Sequence, residues 1–159
     1  MKKYLIIIVL TLSTCLYTDA QRFEDYFEDR TLRLDYTFAG DNCLHQIYVD
    51  ELVSLPHWYG RRDRLAELPL KGNGQITMRS KADGMVIYRH SFSTLFQEWL
   101  ATDEAKHVQK SFENVFLVPF PKDSVEIKVE LFDYHDEVIN SLTHIVDPKD
   151  ILIRKAGKR

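Results

Sequence analysis

The sequence predicts an all-β domain, an antiparallel β-sandwich with at most one short helix. Three observations carry that expectation. Apolar and polar residues alternate in several short runs, most regularly where Val125, Ile127, Val129 and Leu131 interleave with Glu126, Lys128 and Glu130. That period of two marks a strand with one buried face. Turn-forming residues separate the runs: Ala39-Gly40-Asp41-Asn42, Gly72-Asn73-Gly74, Asp83-Gly84 and His135-Asp136. Strand-like and helix-like stretches do not take turns along the chain, so the pattern of a doubly wound parallel sheet is missing.

The elements are expected in the following order. Residues 1–20 read as a secretory signal peptide: Lys2 and Lys3, an apolar run from Tyr4 to Leu12, then Thr18-Asp19-Ala20 as a small-residue cleavage site before Gln21. The apolar run is about half of the roughly twenty residues that a spanning helix needs. The chain is therefore expected to be exported, as a secreted, periplasmic or cell-surface protein. A rival reading makes Leu12-Ser13-Thr14-Cys15 a lipoprotein signal. Membrane attachment is expected only if Cys15 is lipidated. The folded domain is placed at 21–154, with 155–159 as a linker or free tail.

Arg22 to Arg30, dense in acids and rings, is expected as an extended arm or a short helical turn. Leu32, Leu34, Tyr36 and Phe38 alternate as a strand. A second strand covers Leu44 to Leu52, with Ile47 and Val49 inward. Gln75 to Arg79 and Met85 to Phe92 form a hairpin about Asp83-Gly84. Thr94 with Gln97 fits a capping box and opens a helix from Thr94 to about Lys106, with Trp99 in the core. Asn114 to Val118 is a strand closed by Pro119 and Pro121. Val125 to Phe132 and Val138 to Val146 make the last hairpin, and Ile151 to Ile153 is a final apolar pulse.

Composition excludes several partners. The 159-residue chain carries a net charge of −3, and its charges are interspersed. No basic stripe argues for nucleic acid and no polybasic block for an anionic membrane. Once Cys15 leaves with the signal, Cys43 is alone, so no intrachain disulfide forms. Cys43 is expected to be a small buried apolar residue.

The sequence lacks the usual catalytic motifs. Of the six histidines none lies four residues from another, so no helical zinc pair of the His-Glu-x-x-His kind exists. His135 and His144 flank a hairpin and, with Asp133 or Asp136, would make at most a weak surface metal site. There is no Gly-x-Ser-x-Gly elbow, and Gly72-Asn73-Gly74 lacks the Lys and Ser/Thr of a phosphate loop. Carboxylates are plentiful, but their spacing across strands says nothing of a glycosidase pair. The candidate binding residues are Trp58, Tyr59, Arg61 and Arg62, which cluster rings and guanidinium groups between Pro56 and Arg62. Such residues build protein interfaces or sugar platforms. The competing reading puts Trp58 in the core and pairs Arg61 and Arg62 with acids.

Four segments carry a family resemblance: FEDYFEDRTLRLDYTFAG (Phe23 to Gly40), PHWYGRRDRLAELPLKGNGQI (Pro56 to Ile76), IYRHSFSTLFQEWLATDEA (Ile87 to Ala105) and DPKDILIR (Asp147 to Arg154). Together they resemble the amino-terminal domain of the IgA-type secreted zinc metallopeptidases of bacteria, metallopeptidase family sixty-four. The resemblance implies a β-rich module that precedes a catalytic domain, and that domain would begin where this chain stops. The zinc ligands and the general-base glutamate belong to that domain, so no metal or catalytic residue is assigned here. Zinc is expected only in the catalytic domain. The implied function is a non-catalytic accessory module that docks on a metallopeptidase catalytic domain, in cis or in trans, or presents protein substrate to it. The alternative is a stand-alone secreted binding module for a glycan or host protein.

Overall fold

The computed structural model describes residues 21–68 and 70–156. Residues 1–20, on which the expected signal peptide and Cys15 fall, Pro69 and residues 157–159 lie outside the described residues. The chain enters through a single helical turn, α1 (Phe23–Tyr26), and passes straight into strand β1 (Phe27–Gly40). It continues as β2 (His45–Pro56), β3 (Gly74–Ser80), β4 (Val86–Phe92), helix α2 (Leu95–Leu100), a 3-10 turn (Glu104–Lys106), β5 (Lys110–Pro121), β6 (Val125–Phe132), β7 (Val138–Val146) and β8 (Arg154–Lys155). Both of the forms expected for the segment from Arg22 to Arg30 occur, the turn first and then the extended chain.

Two four-stranded sheets result, in the orders β5-β1-β2-β8 and β4-β3-β6-β7. Every pairing is antiparallel except that of β8, which runs parallel to β2 at Val53 and Ser54. The protein is thus an all-β sandwich. Its core lies between the sheets. Leu32, Leu34, Tyr36 and Phe38 face inward from β1, and Ile76, Met78, Ile127, Val129 and Leu131 from the other sheet, all with no exposed surface. Fully burying each such side chain contributes roughly 1.5–3 kcal/mol before the entropy of ordering is counted. Among the described residues no helix is long and apolar enough to cross a membrane.

Five local expectations are corrected. Val49 stands opposite Tyr36 but is 39% exposed. It lies on the outer edge of β2, where β8, which reaches only Val53 and Ser54, gives no cover. Pro119 and Pro121 do not close β5; they are paired residues within it. Proline is tolerated there because β5 is an edge strand, and the register with β1 slips between Phe27 and Thr31. Cys43 is exposed rather than buried. The Asp41 carboxylate accepts the backbone N–H of Cys43 and of Leu44, both at 2.9 Å, and this turn holds Cys43 at the hairpin tip.

The helix is shorter than the expected span to Lys106. The Thr102 hydroxyl (2.7 Å) and backbone N–H (2.9 Å) both donate to the Trp99 carbonyl, which ends α2 within a turn. Only half of the capping box forms. Thr94 accepts the Gln97 backbone N–H, as an N-cap should. The Gln97 side-chain amide instead donates to the carbonyls of Asn73 and, at 3.1 Å, Phe132. It thereby ties α2 to the start of β3 and the end of β6. Trp99 is buried, as expected, with its indole N–H on Glu104 at 2.8 Å.

Candidate functional site

The loop after β2 builds the first candidate site. His57 leaves the strand with a φ of 59°, a left-handed turn that a non-glycine residue adopts only when neighbours hold it. They do: the Thr31 hydroxyl donates to the His57 carbonyl at 2.6 Å, and Asp29 accepts the Trp58 backbone N–H at 3.3 Å. That turn sends Trp58 inward and Tyr59 outward.

Trp58 is 7% exposed, edge-on to Tyr88 at 6.1 Å, and donates its indole N–H to the Arg61 carbonyl at 2.9 Å. Gly60 lies so close to the indole that a Cβ there would fall 2.2 Å from it. Arg61 lies over the Tyr88 ring at 5.3 Å and donates to the carbonyls of Leu65, at 2.9 Å, and Arg89. Arg62 lies over Phe23 at 4.6 Å and pairs with Asp29. Hydrogen bonding to Arg62, then to the Trp58 N–H, holds the Asp29 carboxyl below the usual carboxylate range. Tyr59, 88% exposed, projects into solvent beside the His57 ring.

Between this loop, β4 and β5 lies a cleft of about 400 Å³. Trp58, Arg61, Leu70, Arg89, His90 and Leu117 are among its lining residues, and no aspartate or glutamate is. Leu70 (80% exposed) and Leu117 (48%) present apolar surface at its rim. Burial, and then the Arg61 charge, hold His90 below the usual imidazole value, so it is neutral at pH 7. The Arg89 Nε is buried and has no hydrogen-bond partner. No ion pair among the described residues includes Arg89. Composition alone did not single out Arg89. The signal was present, however: between Asp83 and Glu98 the chain has no acidic residue to pair with it.

A second region surrounds β8. A groove of about 480 Å³ is lined by Arg30, Ser54, Phe120, Ile151, Ile153 and Lys155, among others. An adjoining hollow of about 320 Å³ shares Arg30, Ser54 and Lys155 with it and adds Asp29 and His57. Ser, His and Asp meet here, the residue types of a nucleophilic triad. The geometry does not assemble one. Ser54 Oγ is held by the Arg30 guanidinium, and the Asp29–His57 contact is 3.5 Å long. Arg30 itself is fixed over Phe120 at 4.0 Å and on Glu28 at 2.8 Å. Beside the groove Ile151 and Leu152 stand 94% and 78% exposed, while Ile153 is buried.

The two histidines considered for a metal site do not meet. The register of β6 with β7 sets His144 opposite Ile127, far along the strand from the tip where His135 stacks on Tyr134. Among the described residues no group of three or more His, Cys, Asp or Glu side chains is placed to hold a metal ion. His144 Nε2 instead hydrogen-bonds the Tyr36 hydroxyl at 2.7 Å, which satisfies that hydroxyl inside the core.

Burial lowers the pKa of His144, as it does for His45 and His90. The unfolded chain therefore binds protons first as the pH falls. Stability is complete above the unfolded value of about 6.5 and is lost as the pH drops toward the lowered folded values. Thermal melts from pH 8 to pH 5 should show a falling Tm below about pH 6.5. His144→Gln should make that decline shallower; an unchanged slope would remove His144 from the account.

The family model described as Peptidase M64 N-terminus matches residues 22–143, from just before α1 into β7. No curated protein matches the chain.

Proposed function

This chain belongs to the family of peptidase M64 N-terminal domains, and from that premise we propose that it is an exported, non-catalytic module that docks on a zinc peptidase domain and helps present protein substrate to it. The observation that carries the docking role is the surface beside β8. Ile151 and Leu152, adjacent and almost fully exposed, border the groove that contains Phe120 and Ile153. Neighbouring exposed apolar side chains of this size mark an interaction surface. Two of the charged groups around them, Arg30 and Arg154, already have partners in Glu28 and Glu51, so neither needs a partner from whatever docks. In this reading the metal chemistry belongs to the partner domain, and this chain contributes surface.

The test mixes the chain with a zinc peptidase domain of the same family and follows complex formation by analytical gel filtration and calorimetry. A complex is expected. Substituting Ile151→Asp and Leu152→Asp together should weaken it at least about tenfold, because two desolvated apolar anchors are lost. The circular dichroism spectrum should not change, since both side chains are exposed. Failure of the unsubstituted chain to bind the domain would overturn the docking role.

A further inference from the structure

The cleft beside Trp58 shares no lining residue with the region around β8, and its chemistry is specific enough to name an occupant. We infer that it binds an extended peptide segment in which a carboxylate side chain neighbours a bulky apolar one. This deepens the presenting role proposed above by naming the chemistry of the substrate segment, although its test needs no catalytic domain.

Charge is the first argument. Arg89 is a cation with a buried, unpartnered Nε and no ion pair among the described residues. A guanidinium so placed is a planar donor that matches a carboxylate in two-pronged fashion. Arg61 adds a second positive charge, and its Nη2 is already committed to the carbonyls of Leu65 and Arg89. It therefore shapes the cleft and its field, while the Arg89 Nη groups, which no ion pair engages among the described residues, are the ones left to meet a carboxylate; the closed-off Nε is not. The cleft has no acidic side chain to compete for either arginine, in a chain whose acids outnumber its bases by 24 to 21.

Shape and polarity supply the second argument. Leu70 and Leu117 offer apolar surface on either side of the cleft, and Leu117 belongs to β5, an edge strand of its sheet. An edge strand presents backbone donors and acceptors on one side, which suits an extended segment more than a globular ligand. A sugar fits poorly. Trp58, whose face would be its platform, is 7% exposed and turned against Tyr88. No Asp, Glu, Asn or Gln, the usual partners of sugar hydroxyls, lines the cleft.

The experiment uses the chain from Gln21 to Arg159 and three fluorescein-labelled short peptides, in which leucine alternates with glutamate, glutamine or lysine. Fluorescence anisotropy should show the glutamate peptide binding about tenfold more tightly than the glutamine peptide, with the lysine peptide weakest. Arg89→Gln should erase the preference for glutamate over glutamine, and Arg89→Lys, which keeps the charge, should restore part of it, a pattern that a merely unfolded variant would not give. Leu70→Glu, at a position too exposed to disturb the fold, should narrow the preference for glutamate over lysine, because one of the two arginine charges is then offset. Equal binding of all three peptides, a glutamate preference that survives Arg89→Gln, or binding confined to neutral glycans on an array would overturn the inference. Loss of the domain–domain complex with the peptide preference intact would instead count against the docking role alone.

Discussion

Replacing Phe38 with alanine is expected to lower the free energy of unfolding by roughly 3–5 kcal/mol, the largest single-residue effect anticipated in this protein. Phe38 has no exposed surface, and its ring lies 6.2 Å from Phe92, 6.3 Å from Phe96 and 6.2 Å from Phe116. Those neighbours come from β4, α2 and β5. The ring therefore joins both sheets and the helix, and its loss leaves a void that no one element can fill by shifting. Phe92 and Phe116, already 4.4 Å apart, have little freedom to close over it. Urea unfolding followed by circular dichroism gives the number directly. A loss below about 1 kcal/mol would mean that the aromatic cluster repacks freely.

Gly40→Ala is expected to cost on the order of 3 kcal/mol, although it adds a single methyl group. Gly40 closes the β1–β2 hairpin opposite His45 with a φ of 135°, where side-chain-bearing residues are strained. A Cβ at that position would lie 1.9 Å from the Leu44 carbonyl oxygen. That oxygen accepts the Asp41 N–H at 3.0 Å and closes the turn, so it cannot move without opening the hairpin. Gly84 is the internal control. Its φ is 73°, but nothing lies within 4 Å of where its Cβ would be. Gly84→Ala should therefore cost only the left-handed penalty, roughly 1–2 kcal/mol. Similar losses at the two sites in parallel urea titrations would refute the steric argument for Gly40.

Strand positions were legible wherever the period of two ran unbroken. Val125 to Phe132 is the clearest case. Its alternation fixes which side chains are buried, and the observed strand has the same bounds. The turns at Gly40, Gly84 and Asp136 were legible because left-handed backbone restricts residue type. What failed depended on neighbours. The exposure of Val49 follows from how far β8 reaches, and the tolerance of Pro119 from β5 being at an edge; neither is a property of the local sequence. The short α2 reflects a Trp99 carbonyl captured by Thr102.

The candidate site was legible in part. Trp58 and Arg61 share one cleft, while Tyr59 turns to solvent and Arg62 to Phe23 and Asp29, and the sequence offered no period by which to tell the inward ring from the outward one. The left-handed turn at His57 decides that, and it is held by Thr31 and Asp29 from the paired strand. Three of the four resembling segments lie within the matched span from 22 to 143, and the fourth, Asp147 to Arg154, lies beyond it. That span stops short of the turn before β8, where the exposed Ile151 and Leu152 lie.

Strand β8 has a mechanical consequence. It is held by pairing at two residues, one ion pair from Arg154 to an exposed Glu51, and the buried Ile153. An exposed ion pair of this kind adds at most about 1 kcal/mol. β8 can therefore detach by local opening while the sandwich stays folded, and its amides should exchange with solvent far sooner than those of β6. Any polypeptide continuing past Ala156 would be attached through a latch of adjustable tension. Its orientation to the sandwich would be governed by how often two residues let go of an edge.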